Sequence, residues 1–227
     1  MTTLYDNYAV PIVNLPFLYI NGAIVSNDAT TPQTVLDLSA GQMRDQTNTF
    51  DLNIGNFNGE VNESATPNVV TLINAAVVGL NGIDTGTLGT SKVYYVYVVS
   101  DPVSGSPSGA MISLNAPSVG PIMPFGYSAY RHVGYAITDS SNHFLLGYTA
   151  GNNNARKFMY DAPISVGTTA SSASYAAINL IKFVPLVNNI PVYLNASISG
   201  TAADTLSLQP GNATGDAVVI EAQVNSQ

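Results

Sequence analysis

The apolar and polar positions of this chain alternate over short stretches, and those stretches are separated by turn residues. Phe50-Asp51-Leu52-Asn53-Ile54 alternates strictly, as a strand with one buried face does. Residues 92–100, KVYYVYVVS, are β-branched or aromatic on both faces, with Tyr94, Val96 and Val98 on one side and Tyr95, Tyr97 and Val99 on the other. A strand apolar on both sides must be covered on both, which predicts a second sheet over one face and a subunit or lobe over the other. Further strands are expected over residues 17–25, 109–114, 130–138, 143–148, 175–183, 192–198, 205–208 and 217–224. Residues 69–80, VVTLINAAVVGL, could wind into a short helix, but their β-branched content and the flanking Pro67 and Gly82 favour extended structure. With 19 Gly and 13 Pro among these segments, the pattern predicts an all-β protein, β-sandwich or jelly-roll-like.

The organisation reads in three parts. Residues 1–16 differ from the rest: Pro11 and Pro16 bracket Ile12, Val13 and Leu15, while Tyr5 and Tyr8 supply aromatic contact area. Extended, 16 residues reach about 50 Å, enough for a docking arm on a neighbouring subunit; an edge strand of the same domain or a frayed terminus is the alternative. Residues 17–155 form the expected main β domain. After the turn-rich break at Gly151-Asn152-Asn153-Asn154, residues 156–227 are expected to build a C-terminal β lobe or the second half of the sandwich. No internal repeat of fixed period stands out.

Charge changes the picture most. Only 9% of the 227 residues are charged, 6 basic and 14 acidic, for a net charge of −8. A folded monomer of 23.7 kDa would carry about one charge per 490 Å², against about one per 170 Å² for ordinary composition. Such a surface is inexpensive to desolvate and suits burial against neighbours. The six cations, Lys92, Lys157, Lys182, Arg44, Arg131 and Arg156, form no basic stripe, so no nucleic-acid partner is expected. No apolar run reaches the ~18 residues of a membrane span, and the start of the chain carries an acid where an export signal needs positive charge. There are no cysteines, which excludes disulfides, thiolate metal sites and cysteine nucleophiles.

Catalytic patterns are weak. Asp139-Ser140-Ser141-Asn142-His143 holds the residue types of a hydrolase triad, but crowding into five positions reads as a hairpin turn. His132 follows Arg131 on a strand and reads as a core or interface residue. Asp51-Leu52-Asn53 opens like a calcium loop, yet Asn56 stands where that loop needs glycine and Asn62 where it needs glutamate. The Gly86–Lys92 stretch lacks phosphate-loop spacing, and Pro107 occupies the nucleophile position of Gly105-Ser106-Pro107-Ser108-Gly109. Neither an enzyme, a cofactor nor a metal site is expected. Thirteen tyrosines and no tryptophan suggest instead a surface for binding proteins or glycans, with Tyr127, Tyr130, Tyr135 and Tyr148 as candidates; core and interface packing is the competing use of each.

The middle of the chain resembles a family of tailed-bacteriophage virion proteins found as small structural proteins and as tail-fibre domains. The resemblance rests on Ala40-Gly41-Gln42-Met43-Arg44-Asp45 with Thr47-Asn48 and Asp51, on Asn81-Gly82-Ile83-Asp84-Thr85-Gly86, on Tyr94-Tyr95-Val96-Tyr97-Val98, and on Pro124-Phe125-Gly126-Tyr127 with Tyr130-Arg131 and Val133-Gly134; Tyr160-Asp161-Ala162-Pro163 extends it. It implies a non-enzymatic virion protein on the particle exterior, a capsid decoration (cement) protein or short tail appendage. Its expected partners are copies of itself, as a trimer, and the major capsid or tail proteins, with assembly in the host cytoplasm. A host-attachment module gripping surface glycan is the alternative. Arg44 and Arg131 are each expected to pair with a carboxylate such as Asp45, Asp51 or Asp84, a ligand-binding arginine being the alternative, and Gly82 and Gly86 to shape a sharp turn around Asp84-Thr85.

Overall fold

In the computed structural model, which describes residues 15–55, 69–103, 106–151, 156–164, 180 and 183–184, there are eleven strands. They are β1 (Ile20–Gly22), β2 (Val25–Asn27), β3 (Val35–Ser39), β4 (Gly41–Arg44), β5 (Asp51–Ile54), β6 (Val69–Asn74), β7 (Val93–Asp101), β8 (Ser106–Ser113), β9 (Ala129–Ile137), β10 (Gly147–Ala150) and β11 (Lys157–Tyr160). Three of them, β3, β4 and β11, lie outside the expected segments, and the strand expected over 143–148 begins only at Gly147. No helix occurs among the described residues, and residues 69–74 are extended as their β-branched content requires. The strands form three antiparallel sheets, ordered β1-β4-β5, β11-β10-β2-β3-β6 and β8-β7-β9. The protein is all-β and sandwich-like.

Two of the sheets share a bent pair of chains. The single strand expected over 17–25 is broken at Ala23-Ile24, and its neighbour is broken at Ala40, so β1 and β4 pair in one sheet while β2 and β3 pair in the next. Hydrogen bonds carry the chains across the corner: Ala23 N–H donates to the Ala40 carbonyl at 2.9 Å, Ser39 N–H to the Ile24 carbonyl at 3.0 Å, and Ile24 N–H to Ser39 Oγ at 2.9 Å. Burial explains the switch. Ile20, Met43, Leu52 and Ile54 from one sheet and Val25, Leu36, Leu38 and Ile73 from the other enclose a single apolar core.

β7 forms the wall facing that core. Tyr94, Val96 and Val98 join it with Ala110 and Ile112 of β8 and Val133 of β9, while Tyr95, Tyr97 and Val99 form a second cluster with Met111 on the opposite face. The predicted two-faced partition is therefore observed. The expected cover of the second face is corrected, however. Among the described residues the chain covers this face itself: Leu80, Ala116, Met123 and Tyr127, mostly from the connection after β8, pack on it together with Tyr130 and Tyr135 of β9. Each large side chain so buried contributes about 1.5–3 kcal/mol, and those of Tyr94, Val96, Tyr97 and Ile112 are fully enclosed.

The expected boundary near residue 155 falls inside a hairpin. β11 pairs with β10 from Gly147↔Tyr160 to Ala150↔Lys157, so residues 157–160 form the outer strand of the five-stranded sheet. The strands expected at 192–198, 205–208 and 217–224, and all but two residues of that at 175–183, lie outside the described residues.

Candidate functional site

The segments around residues 40–51 and 81–84 are built as structural locks. Arg44 and Asp51 are cross-strand partners joined by an ion pair of 2.6 Å, as expected. The loop between them is organised by Asp45, whose buried carboxylate accepts from Thr47 N–H (3.0 Å), Thr47 Oγ1–H (2.5 Å), Thr49 N–H (2.6 Å) and Phe50 N–H (2.8 Å). Burial alone would raise this carboxyl, but those hydrogen bonds together outweigh it and hold it below the ordinary aspartate value. Asp84 is likewise used inside the chain: its carboxylate accepts from Ile122 N–H at 3.0 Å and so fixes the connection that covers the second cluster. Asn81 Oδ1 accepts from Ala110 N–H, tying the same motif to β8.

Asp139-Ser140-Ser141-Asn142-His143 is a turn. Asp139 Oδ1 accepts from the N–H groups of Ser141 (2.7 Å) and His143 (2.9 Å), and the flanking Thr138 and Phe144 form an antiparallel bridge. The Asp139 carboxylate and the His143 ring stand 3.8 Å apart, both well exposed.

His132 stands among aromatic rings. Its ring lies 5.5 Å from Tyr95, 5.8 Å from Tyr97 and 4.8 Å from Tyr135, each edge-on. Nε2 lies 2.8 Å from the Gly134 carbonyl, which makes it the N–H donor. Burial first, and then the charges of Arg131 and Arg156, push the imidazole down to about 4, and the carbonyl bond opposes them only in part. The ring is neutral at neutral pH. Burial also pushes the neighbouring Tyr135 hydroxyl up to about 12.

Of the candidate tyrosines, Tyr127, Tyr130 and Tyr135 are half-buried and meet on the second cluster, with Tyr130 edge-on to Tyr97 at 5.7 Å. Tyr148 stands apart in β10, paired with Ser26 and Met159. Of the proposed arm, Tyr5, Tyr8, Ile12 and Val13 lie outside the described residues. Leu15 is half-buried, and its N–H reaches Asp51 Oδ2 at 3.4 Å.

Beside His132 a cleft of about 250 Å³ opens between β1, β9 and the start of β11, lined by Arg131, Tyr135, Thr149 and Arg156 with Leu18 and Pro117 as apolar wall. Arg131 corrects the sequence expectation, since no carboxylate of the described residues lies within 4.0 Å of it. Arg131 is 4% exposed, and its guanidinium donates from Nη2 to the Leu18 carbonyl at 3.1 Å, leaving Nε without a partner. Arg156 clamps the bent corner, donating from Nη1 to the Ala23 (2.8 Å) and Val133 carbonyls and from Nη2 to the Gly22 carbonyl. Its Nε and the Thr149 hydroxyl are also buried without partners. Desolvation, and secondarily the charge of Arg131, lower Arg156 to about 10; desolvation lowers Arg131 as well, against the pull of Asp45. Sequence reasoning did not bring Arg156 and Thr149 to this place. The one available signal was the scarcity of cations, which makes two on one cleft notable.

Among the described residues no helix is long and apolar enough to cross a membrane. In comparisons with protein-family models, curated proteins and solved structures, the chain matches none.

Proposed function

We propose that this chain is a non-enzymatic structural protein of a tailed-bacteriophage virion, a capsid decoration protein or short tail appendage that works as a homo-oligomer, expected to be a trimer, on the particle exterior. The observation that carries this reading is a run of exposed large apolar side chains on the connection over the second cluster. Leu114, Val119, Ile122 and Phe125 are 53%, 72%, 53% and 104% exposed in a chain of which only 9% is charged. Water-facing apolar groups with few charges around them favour contact with further protein. The family-like segments around Asp45, Asp84 and β7 support the same reading because they are spent on holding the fold, while Phe125 of a further such segment faces outward. Cryo-electron microscopy of the intact particle tests it: density for this chain on capsid or tail is expected, and its absence from both defeats the placement. Copy number by mass spectrometry then separates the sites, since capsid decoration requires many more copies than a tail appendage.

The grouping of Tyr127, Tyr130 and Tyr135 favours a second reading, attachment to host-surface glycan through half-exposed rings. Binding to polymeric glycans on an array would support attachment; silence there is expected of a decoration protein.

A further inference from the structure

The cleft between β1, β9 and the start of β11 presents an imbalance. Two guanidinium groups line it, neither has a carboxylate within 4.0 Å among the described residues, and a hydroxyl beside them has no hydrogen-bond partner. Burying a cation without a counter-charge is costly, and leaving buried donors unused adds to that cost. Arginine has five N–H donors arranged as a fork that fits planar and tetrahedral oxyanions. Arg131 uses Nη2 toward Leu18, and Arg156 uses its two terminal nitrogens toward three carbonyls. Asp45, the acid whose charge acts on Arg131, spends its oxygens on its own loop.

We propose that this cleft is a binding site for a small oxyanion, the carboxylate or phosphate group of a ligand no larger than a monosaccharide. Arg131 supplies the principal charge and Arg156 the second. Thr149 donates its hydroxyl, and the Tyr135 ring with Leu18 and Pro117 forms the apolar wall against the rest of the ligand. The size limit follows from the volume of about 250 Å³. The site is independent of where the protein sits on a particle, because a structural protein can hold such a ligand as a fixed part of its fold.

The chain has three arginines, Arg44, Arg131 and Arg156, so the Nε–Hε region of a nitrogen-15 spectrum of the full-length protein reads each directly. The protein is titrated with acetate, D-glucuronate and inorganic phosphate at constant ionic strength, with chloride and D-glucose as controls. Saturable shifts of Arg131 and Arg156 are expected, with Arg44, held by Asp51, as the unmoved reference. The arm that saturates at lowest concentration identifies carboxylate or phosphate as the natural group. Arg131→Gln should abolish the response. Thr149→Val, which keeps shape and removes one hydroxyl, should weaken it about tenfold while leaving the remainder of the spectrum in place. Equal movement of all three arginines, no saturable shift with any anion, or unaltered binding by Thr149→Val would each overturn the proposal. So would an Arg131 Hε that is protected from exchange and indifferent to every anion, since a carboxylate of the chain itself would then fill the cleft.

Discussion

Arg44 and Asp51 face each other as the last rung of the β4–β5 ladder, and their side chains close it with the 2.6 Å ion pair. Arg44 spends its other donors on the Asn48 carbonyl, at 3.0 Å from Nε and 2.8 Å from Nη2. The guanidinium thus spans the neck of a loop whose interior is held by Asp45. Lysine carries the charge without the fork, so Arg44→Lys should keep the pair to Asp51 and lose the clamp.

The loop interior gives a stronger effect. Asp45→Ala strips an acceptor from Thr47, Thr49 and Phe50 at a site 2% exposed. The expected loss is about 2–4 kcal/mol of unfolding free energy, from charged hydrogen bonds removed and donors left buried. Asp45→Asn should recover part of it. The carboxyl is lowered in the folded state, so its contribution is present above the ordinary value near 3.8 and disappears as acid carries the pH down through the folded-state value. Urea titrations of wild type and Asp45→Asn on either side of that value check both statements. The subtraction removes Asp37, whose carboxyl burial and the charge of Asp28 raise, in the opposite sense.

His132 governs a separate, higher window. The unfolded chain takes up its proton near pH 6.5, whereas the folded ring resists until about 4. Stability from this residue is therefore complete above about pH 6.5, falls as the pH drops toward 4 and levels off below. The total is about 3 kcal/mol. His132→Phe keeps an aromatic ring against Tyr95 and Tyr135 and should flatten this slope, measured as the urea midpoint across the interval. An unchanged slope would show that another group titrates there.

Gly82 and Gly86 bracket one motif for different reasons. A β-carbon at Gly82 would run into the Val77 carbonyl, whereas at Gly86 it would meet nothing within 4 Å but would sit at φ +76°. Gly86→Ala should therefore cost about 1–2 kcal/mol, the left-handed penalty alone. Gly82→Ala must displace backbone and should cost about 3 kcal/mol or more. Thermal denaturation of the pair distinguishes them, and equal losses would contradict the packing account.

Self-association should respond weakly to salt. The described residues hold the Arg44–Asp51 pair inside one chain and the Asp139–His143 contact in a turn, and a chain that is 9% charged has few ions to screen. Sedimentation at low and high ionic strength should return the same oligomer; dissociation in high salt would assign the contact to ion pairs.

Local pattern alone determined the fold class, the strand at residues 92–100 with its two apolar faces (observed at Val93–Asp101), and the turn at residues 139–143, because alternation and turn chemistry act between neighbours in the chain. The same signal was present in Val35-Leu36-Asp37-Leu38, yet β3 and β4 were not anticipated. A strand that changes sheets at Ala40 interrupts its own alternation. The expected partner of Arg44 was legible because Asp51 lies seven residues away across a hairpin. That of Arg131 was not, since its surroundings come from Leu18, Thr149 and Arg156, which only the packing of three sheets assembles. Alternation says which side of a strand is buried but carries no information on what it is buried against. The cover of the second β7 face by the chain's own connection and the convergence of two cations on one cleft were therefore decided by tertiary structure.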